Sequence, residues 1–214
     1  MSKFQLFALA GLFICAIDVA AAFAVDESAE PPLKYVVKVG GKTVTMSEGQ
    51  PVRFEGSFTN PEVSFEPQSY RVFPYAGVSF NYPKAFVFEA DVSDSDAKNW
   101  TMSGNDLTIM YFEIEGQLTS ADFANNMISE FGQENAQVSN PNAAIELGSQ
   151  KLTGTTLRVK IASHRMEMDV YKVPSSGSKT RLFVVQDNLD DAGKRSKEWK
   201  RTLAMIKPSF KLKK

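Results

Sequence analysis

The stretch GVSFNYPKAFVF, Gly77 to Phe88, packs four aromatic rings and one proline into twelve residues. Val78, Phe80 and Tyr82 alternate with Ser79 and Asn81. A period of two places the three apolar side chains on one face of a strand. Pro83 has no amide hydrogen to give a ladder, so the strand stops there. Phe86 and Phe88 then open the next element. The alternation predicts that these rings are laid into a core by a strand, a proline turn and a second strand. A ligand platform would need them exposed.

Upstream, MSKFQLFALAGLFICAIDVAAAFA has Lys3, an apolar run from Phe4 to Ile17 and small residues ending Ala22-Phe23-Ala24. That order is the pattern of a secretory signal peptide cleaved near Ala24. The run is short for a span of about 20 residues, and the alternative is an uncleaved anchor. Cys15, the only cysteine, lies inside this leader and follows a bulky Ile14, a poor setting for lipid attachment. Cleavage would leave no disulfide, thiol nucleophile or zinc–thiolate site. The expected location is extracytoplasmic, secreted or periplasmic, with a chain soluble after cleavage.

Residues 25–33, VDESAEPPL, read as a mobile acidic tether. Residues 34–69 read as a small β appendage: KYVVKV and KTVTM form a hairpin across Gly40-Gly41, EGQPVRFEG adds a short strand, and TNPEVSFEPQS is a connection or edge strand. The main domain, 70–214, continues past Phe88 with NWTMS and DLTIMYFEIE, paired through Gly104-Asn105-Asp106. In TSADFANNMISEF, Phe123, Met127 and Phe131 form one helical stripe, with Ser120 as the expected N-cap and Asp122 favoured in the first turn by the helix dipole. A loop at Asn140-Pro141-Asn142 precedes the β-rich runs AAIELGSQKL, GTTLRVKIASHR, MEMDVYKVP and TRLFVVQDNL. DNLDD reads as a helix start with an aspartate cap. In the last helix Trp199, Leu203 and Ile206 share a face, Pro208 ends it, and Phe210 and Leu212 pin the tail. Strands, helix, antiparallel strands, helix: the order predicts an α+β fold.

GVSFNYP near the domain start, ADFANNMISEF after several strands and a final WKRTLAMIKPSFKL resemble the PsbP/Mog1-like superfamily over Tyr70 to Leu212. The resemblance implies an α-β-α sandwich around a mainly antiparallel sheet. It also implies a binding or assembly module rather than an enzyme. Some members support photosystem II on the lumenal side of thylakoids, others bind a nuclear transport GTPase, and many are small exported bacterial proteins. The leader argues against the GTPase role, and the appendage departs from the plain pattern. The family carries no catalytic set over to this chain.

No motif names a reaction. His164, the only histidine, neighbours Ser163, but adjacent strand residues point to opposite faces, and no G-x-S-x-G occurs. DVSDSDAKN, Asp91 to Asn99, is rich in oxygen ligands but fails the EF-hand spacing, so a solvated turn is expected and no metal. Glu113 and Glu115 share a strand face. No phosphate-cradling G-x-x-x-x-G-K is present, and no cofactor is expected. Asn99-Trp100-Thr101 is a glycosylation sequon, relevant in a eukaryotic host.

Charge placement is the most informative signal. The net charge is −1. Yet Phe86 to Asn135 holds ten acidic residues and one basic, Lys98, a net of −9, whereas Lys194 to Lys214 holds nine basic and one acidic, Glu198, a net of +8. The basic set is Lys194, Arg195, Lys197, Lys200, Arg201, Lys207 and Lys211, with Lys213 and Lys214 beyond. Such a patch attracts an acidic protein or an anionic envelope surface; the alternative is a solvated face offset by the acidic half. Export disfavours nucleic acid. The expectation is an exported non-enzymatic module binding partly through the first seven of these cations. The alternatives are a carboxylate-based hydrolase using DVSDSD or Glu113, and a small-ligand carrier using the aromatic rings.

Overall fold

The central element is a seven-stranded, wholly antiparallel sheet. The computed structural model describes residues 26–213; the expected leader and its cleavage point lie outside them. In chain order the elements are β1 (Lys34–Val39), β2 (Lys42–Ser47), β3 (Val63–Pro67), β4 (Tyr70–Phe73), β5 (Val78–Pro83), β6 (Val87–Asp91), β7 (Ala97–Ser103), β8 (Leu107–Glu115), α1 (Ser120–Phe131), β9 (Ala136–Leu147), β10 (Gln150–Ile161), β11 (His164–Val173), β12 (Lys179–Asn188), α2 (Lys197–Ser209) and β13 (Lys211–Leu212). The large sheet runs β6-β7-β8-β12-β11-β10-β9, and two three-stranded sheets run β2-β1-β3 and β13-β5-β4.

The expected α-β-α sandwich is not what forms. Half of the described residues are strand and 13% helix, in two helices. One face of the large sheet is covered by α1, whose Phe123, Met127 and Phe131 pack with Leu157, Met168, Val170, Leu182 and Val184. The opposite face carries the main core and is covered by β4 and β5 as well as α2. Local periodicity located both helices. It could not show that the opening stretch joins a second sheet, because β5 pairs with β4 and with the distant β13.

Central strands are apolar on both faces, which is why they sit in the middle. On β12, Phe183 and Val185 join the main core while Leu182 and Val184 face α1. On β8, Ile109 and Tyr111 go one way, Met110, Phe112 and Ile114 the other. The predicted alternation on β5 holds: Val78, Phe80 and Tyr82 are fully buried. Phe80 stacks on Phe73 at 4.8 Å and meets Phe183 edge-on at 5.5 Å. Phe86 is buried too, and Phe88 is half-buried.

Several boundaries differ from expectation. α1 is capped by Thr119, not Ser120: Thr119 and Asp122 form a reciprocal capping box. Asn140-Pro141-Asn142 is not a loop but an irregularity within β9, the edge strand, where a proline costs no ladder bond. Pro208 lies inside the last turn of α2, one residue before its end. EGQPVRFEG forms no strand; VSFEP does, as edge strand β3. Gly40 and Gly41 both adopt positive φ, the requirement of a two-residue hairpin turn.

The acidic segment expected to be a mobile tether is held to the body. Trp100 Nε1 donates to the Glu27 carbonyl (2.7 Å), Tyr75 Oη to that of Ala29 (2.5 Å) and Arg71 Nη1 to that of Pro31 (2.6 Å). Glu27 pairs with Lys98 at 2.7 Å and Glu30 with Arg71 at 3.1 Å. By contrast, no residue of β1–β3 belongs to either core cluster.

Candidate functional site

α2 is aimed by its own N-terminus. Ser196 Oγ accepts from the Trp199 amide (2.9 Å), and the Ser196 amide and hydroxyl donate to Asp187 (3.0 and 2.6 Å). Asp187 is fully buried on β12. Burial raises its pKa above the ordinary 3.8, outweighing the bonds from Ser196. The cap is thus Ser196 backed by a strand aspartate, not an aspartate of Asp187–Asp191 acting alone. Glu198, the helix's one acid, turns inward and accepts from the amides of Asp106 (2.6 Å) and Leu107 (3.0 Å). That bond locks α2 onto the β7–β8 turn and takes Glu198 out of the outer charge balance.

With Leu203 and Ile206 buried against the core, Lys197, Lys200, Arg201 and Lys207 are left exposed, flanked by Lys194 and Lys211. Among the described residues none of these six cations is in an ion pair; the seven pairs present lie elsewhere. The acidic half does not offset them by contact. Its Glu113 is taken by Lys179 (2.8 Å) and Arg181 (2.9 Å), and its Asp122 by the α1 cap. Lys197 and Arg201 also border a cavity of about 430 Å³ floored by Pro83, Phe86 and Met205.

Arg195, the seventh predicted residue, faces the other way. Its Nη2 donates to Asp169 Oδ2 and pairs with Glu167 Oε2, both at 2.8 Å, and its guanidinium lies 5.2 Å from the Trp199 ring. Thr156 Oγ1 donates to Asp169 Oδ1 at 2.7 Å, and Arg158 bonds the second Glu167 oxygen. Burial raises the Asp169 pKa despite the Arg195 charge and the bonds from Thr156 and Arg195. Together these groups line a cleft of about 490 Å³ over β9–β11, bordered by Asn140, Tyr171 and Trp199. Asp169, Glu167 and Thr156 are not among the residues the sequence pattern singles out. A signal existed: in MEMDVY the acids alternate with Met168 and Val170, placing an aspartate inside an apolar strand.

The other candidates are placed as follows. Burial alone would raise the Glu113 pKa, but the bonds and charges of Lys179 and Arg181 hold it below the usual 4.5. Asp91, Asp94 and Asp96 are exposed and bond locally, Asp94 to the Asp96 amide at 2.8 Å. Among the described residues no group of three or more His, Cys, Asp or Glu is placed to hold a metal ion. His164 is exposed at the first position of β11. Asn99 lies within β7, paired on both sides. Among the described residues no helix is long and apolar enough to cross a membrane.

No family model matches the chain, and no curated protein does. One similar solved structure is a protein from Bacteroides thetaiotaomicron VPI-5482, with 9% identity and a TM-score of 0.36. The match covers 64% of this chain, which spans 46% of that one. A likeness of that size carries no argument about fold or function, and nothing in these comparisons points to the PsbP/Mog1-like superfamily.

Proposed function

We propose that this chain is an exported, non-enzymatic binding module that docks an acidic partner, a protein or an envelope surface, on the outer face of α2 and the tail that follows. The observation that carries this reading is the set of six exposed cations, Lys194, Lys197, Lys200, Arg201, Lys207 and Lys211, without a counter-ion among the described residues. A helix pinned by Asp187, Ser196 and Glu198 presents its charges in a fixed array. A fixed array loses less entropy on docking than a flexible basic tail would. Export is supported by the order Lys3, apolar run, Ala22-Phe23-Ala24.

The test is a capture experiment with residues 25–214 as bait in an extracytoplasmic extract, at low and high salt. The expected result is a partner held at low salt, released as salt screens the contact, and lost from a variant carrying Lys197→Glu, Lys200→Glu and Lys211→Glu. Unchanged affinity of that folded variant for every native partner would remove the basic face from the account.

A further inference from the structure

At the outer end of the cleft the sheet places like charges side by side. Lys160 on β10 is the direct antiparallel partner of Arg165 on β11. Directly opposed residues have Cβ atoms about 4.5–5.5 Å apart, and like charges in such pairs are destabilising. Two pairs further in, on the same face, the strands place Arg158 opposite Glu167, a matched pair. The mismatch is therefore local to Lys160 and Arg165, and neither is in an ion pair among the described residues.

These two side chains and Arg158 line a concave site of about 340 Å³, whose wall also includes Gln133, Asn135 and Gln137. The volume is at the small-molecule end of the range for ligand sites. The one acid in the wall, Glu134, has its carboxylate over Gly132, where an added Cβ would be 2.5 Å away, and accepts from Asn135 Nδ2 at 3.3 Å. The last α1 carbonyls near this wall are already occupied, Ile128 O by the Gly132 amide and Phe131 O by Asn135 Nδ2. Three cations from two strands line the site, and only Arg158 is in an ion pair.

We propose that this site binds a small ligand through a dianionic oxyanion group, of which inorganic phosphate is the simplest form. The anion sits between Lys160 and Arg165 and relieves their repulsion, with Arg158 as a third donor and the side-chain amides of Gln133 and Gln137 completing its shell. Neither Lys160 nor Arg165 belongs to the α2 face, so this site and the proposed docking face stand or fall separately.

The test is thermal unfolding of the full chain in millimolar inorganic phosphate against sodium chloride of matched ionic strength. The expected result is a phosphate-specific rise in Tm of about 2–4 °C once phosphate exceeds its Kd several-fold. Lys160→Glu, which turns the like pair into a matched one, should melt above the wild type without phosphate and lose the phosphate increment. Arg165→Gln should lose the increment too, and a Lys197→Glu/Lys200→Glu variant should keep it. No rise in the wild type, or an equal rise in both site variants, would overturn the proposal.

Discussion

Arg195, Asp169 and Glu113 show how the same charge chemistry yields opposite outcomes at single residues. Asp169 is buried with one guanidinium shared with Glu167, and burial wins, raising its pKa above 3.8. Glu113 has two cations of its own, and they win, lowering its pKa below 4.5. The signs in stability follow. A raised carboxylate pKa contributes stability that is full below 3.8 and is lost as pH rises through the folded value; a lowered one contributes stability present above 4.5 and lost as pH falls through the folded value. Urea unfolding across the acidic range should therefore show that Asp169→Asn removes a falling limb and Glu113→Gln a rising one. Identical pH profiles for wild type and both variants would contradict this assignment. Removing Arg195 leaves Asp169 buried without a cation, while Glu167 keeps Arg158, so Arg195→Met should cost about 3–5 kcal/mol, read by the same unfolding curves. A loss below about 1 kcal/mol, the worth of an exposed pair, would place Arg195 on the surface instead.

Among the elements, the helices depend on caps that come from outside the hydrophobic stripe. Thr119 Oγ1 accepts from the Asp122 amide while Asp122 accepts from the Thr119 amide. Thr119→Ala should cost about 1 kcal/mol, lowering Tm by about 2–4 °C in a chain of this size. Ser120 holds no backbone amide and meets the Thr155 hydroxyl at 3.1 Å, so Ser120→Ala should cost less; thermal melts of the two variants decide which residue is the cap. The last helix was visible as a stripe of Trp199, Leu203 and Ile206. Its true start was not, because Ser196 is held by Asp187, nine positions back on a strand whose neighbours are far in sequence.

In the whole molecule, the appendage leaves and rejoins the chain at one place. Lys34 O accepts from the Gln68 amide at 2.8 Å, so the two ends of the appendage are already adjacent. The segment before it is fastened to Arg71, Tyr75 and Trp100 of the body. Replacing residues 35–67 with a short Gly/Ser linker should leave a folded body whose Tm moves by less than about 4 °C, the shift of roughly 1 kcal/mol. A cooperative collapse of that variant in calorimetry would mean that the three-stranded sheet contributes to the main core.

Much of this arrangement was legible from local chemistry. Alternation at Val78, Phe80 and Tyr82, the Gly40-Gly41 turn, the Phe123/Met127/Phe131 stripe and the surplus of cations after Lys194 all act over a few residues, and period and turn chemistry express themselves at that range. The layers did not follow, because they depend on partners far along the chain. β5 finds Leu212, and Gly148 lies so near the end of α2 that an added Cβ would be 2.2 Å from the Phe210 carbonyl. Which cations stay free is likewise a tertiary fact. Arg195 reads the same as Lys197 along the chain, yet Arg195 folds onto Glu167 and the buried Asp169 of β11 while Lys197 remains outside. Sequence alone determined the β5 alternation, the Gly40-Gly41 hairpin, the two helices and the charge asymmetry; only the tertiary structure decided which sheet each strand joined and which charges were left without a partner, since both depend on contacts that chain distance does not encode.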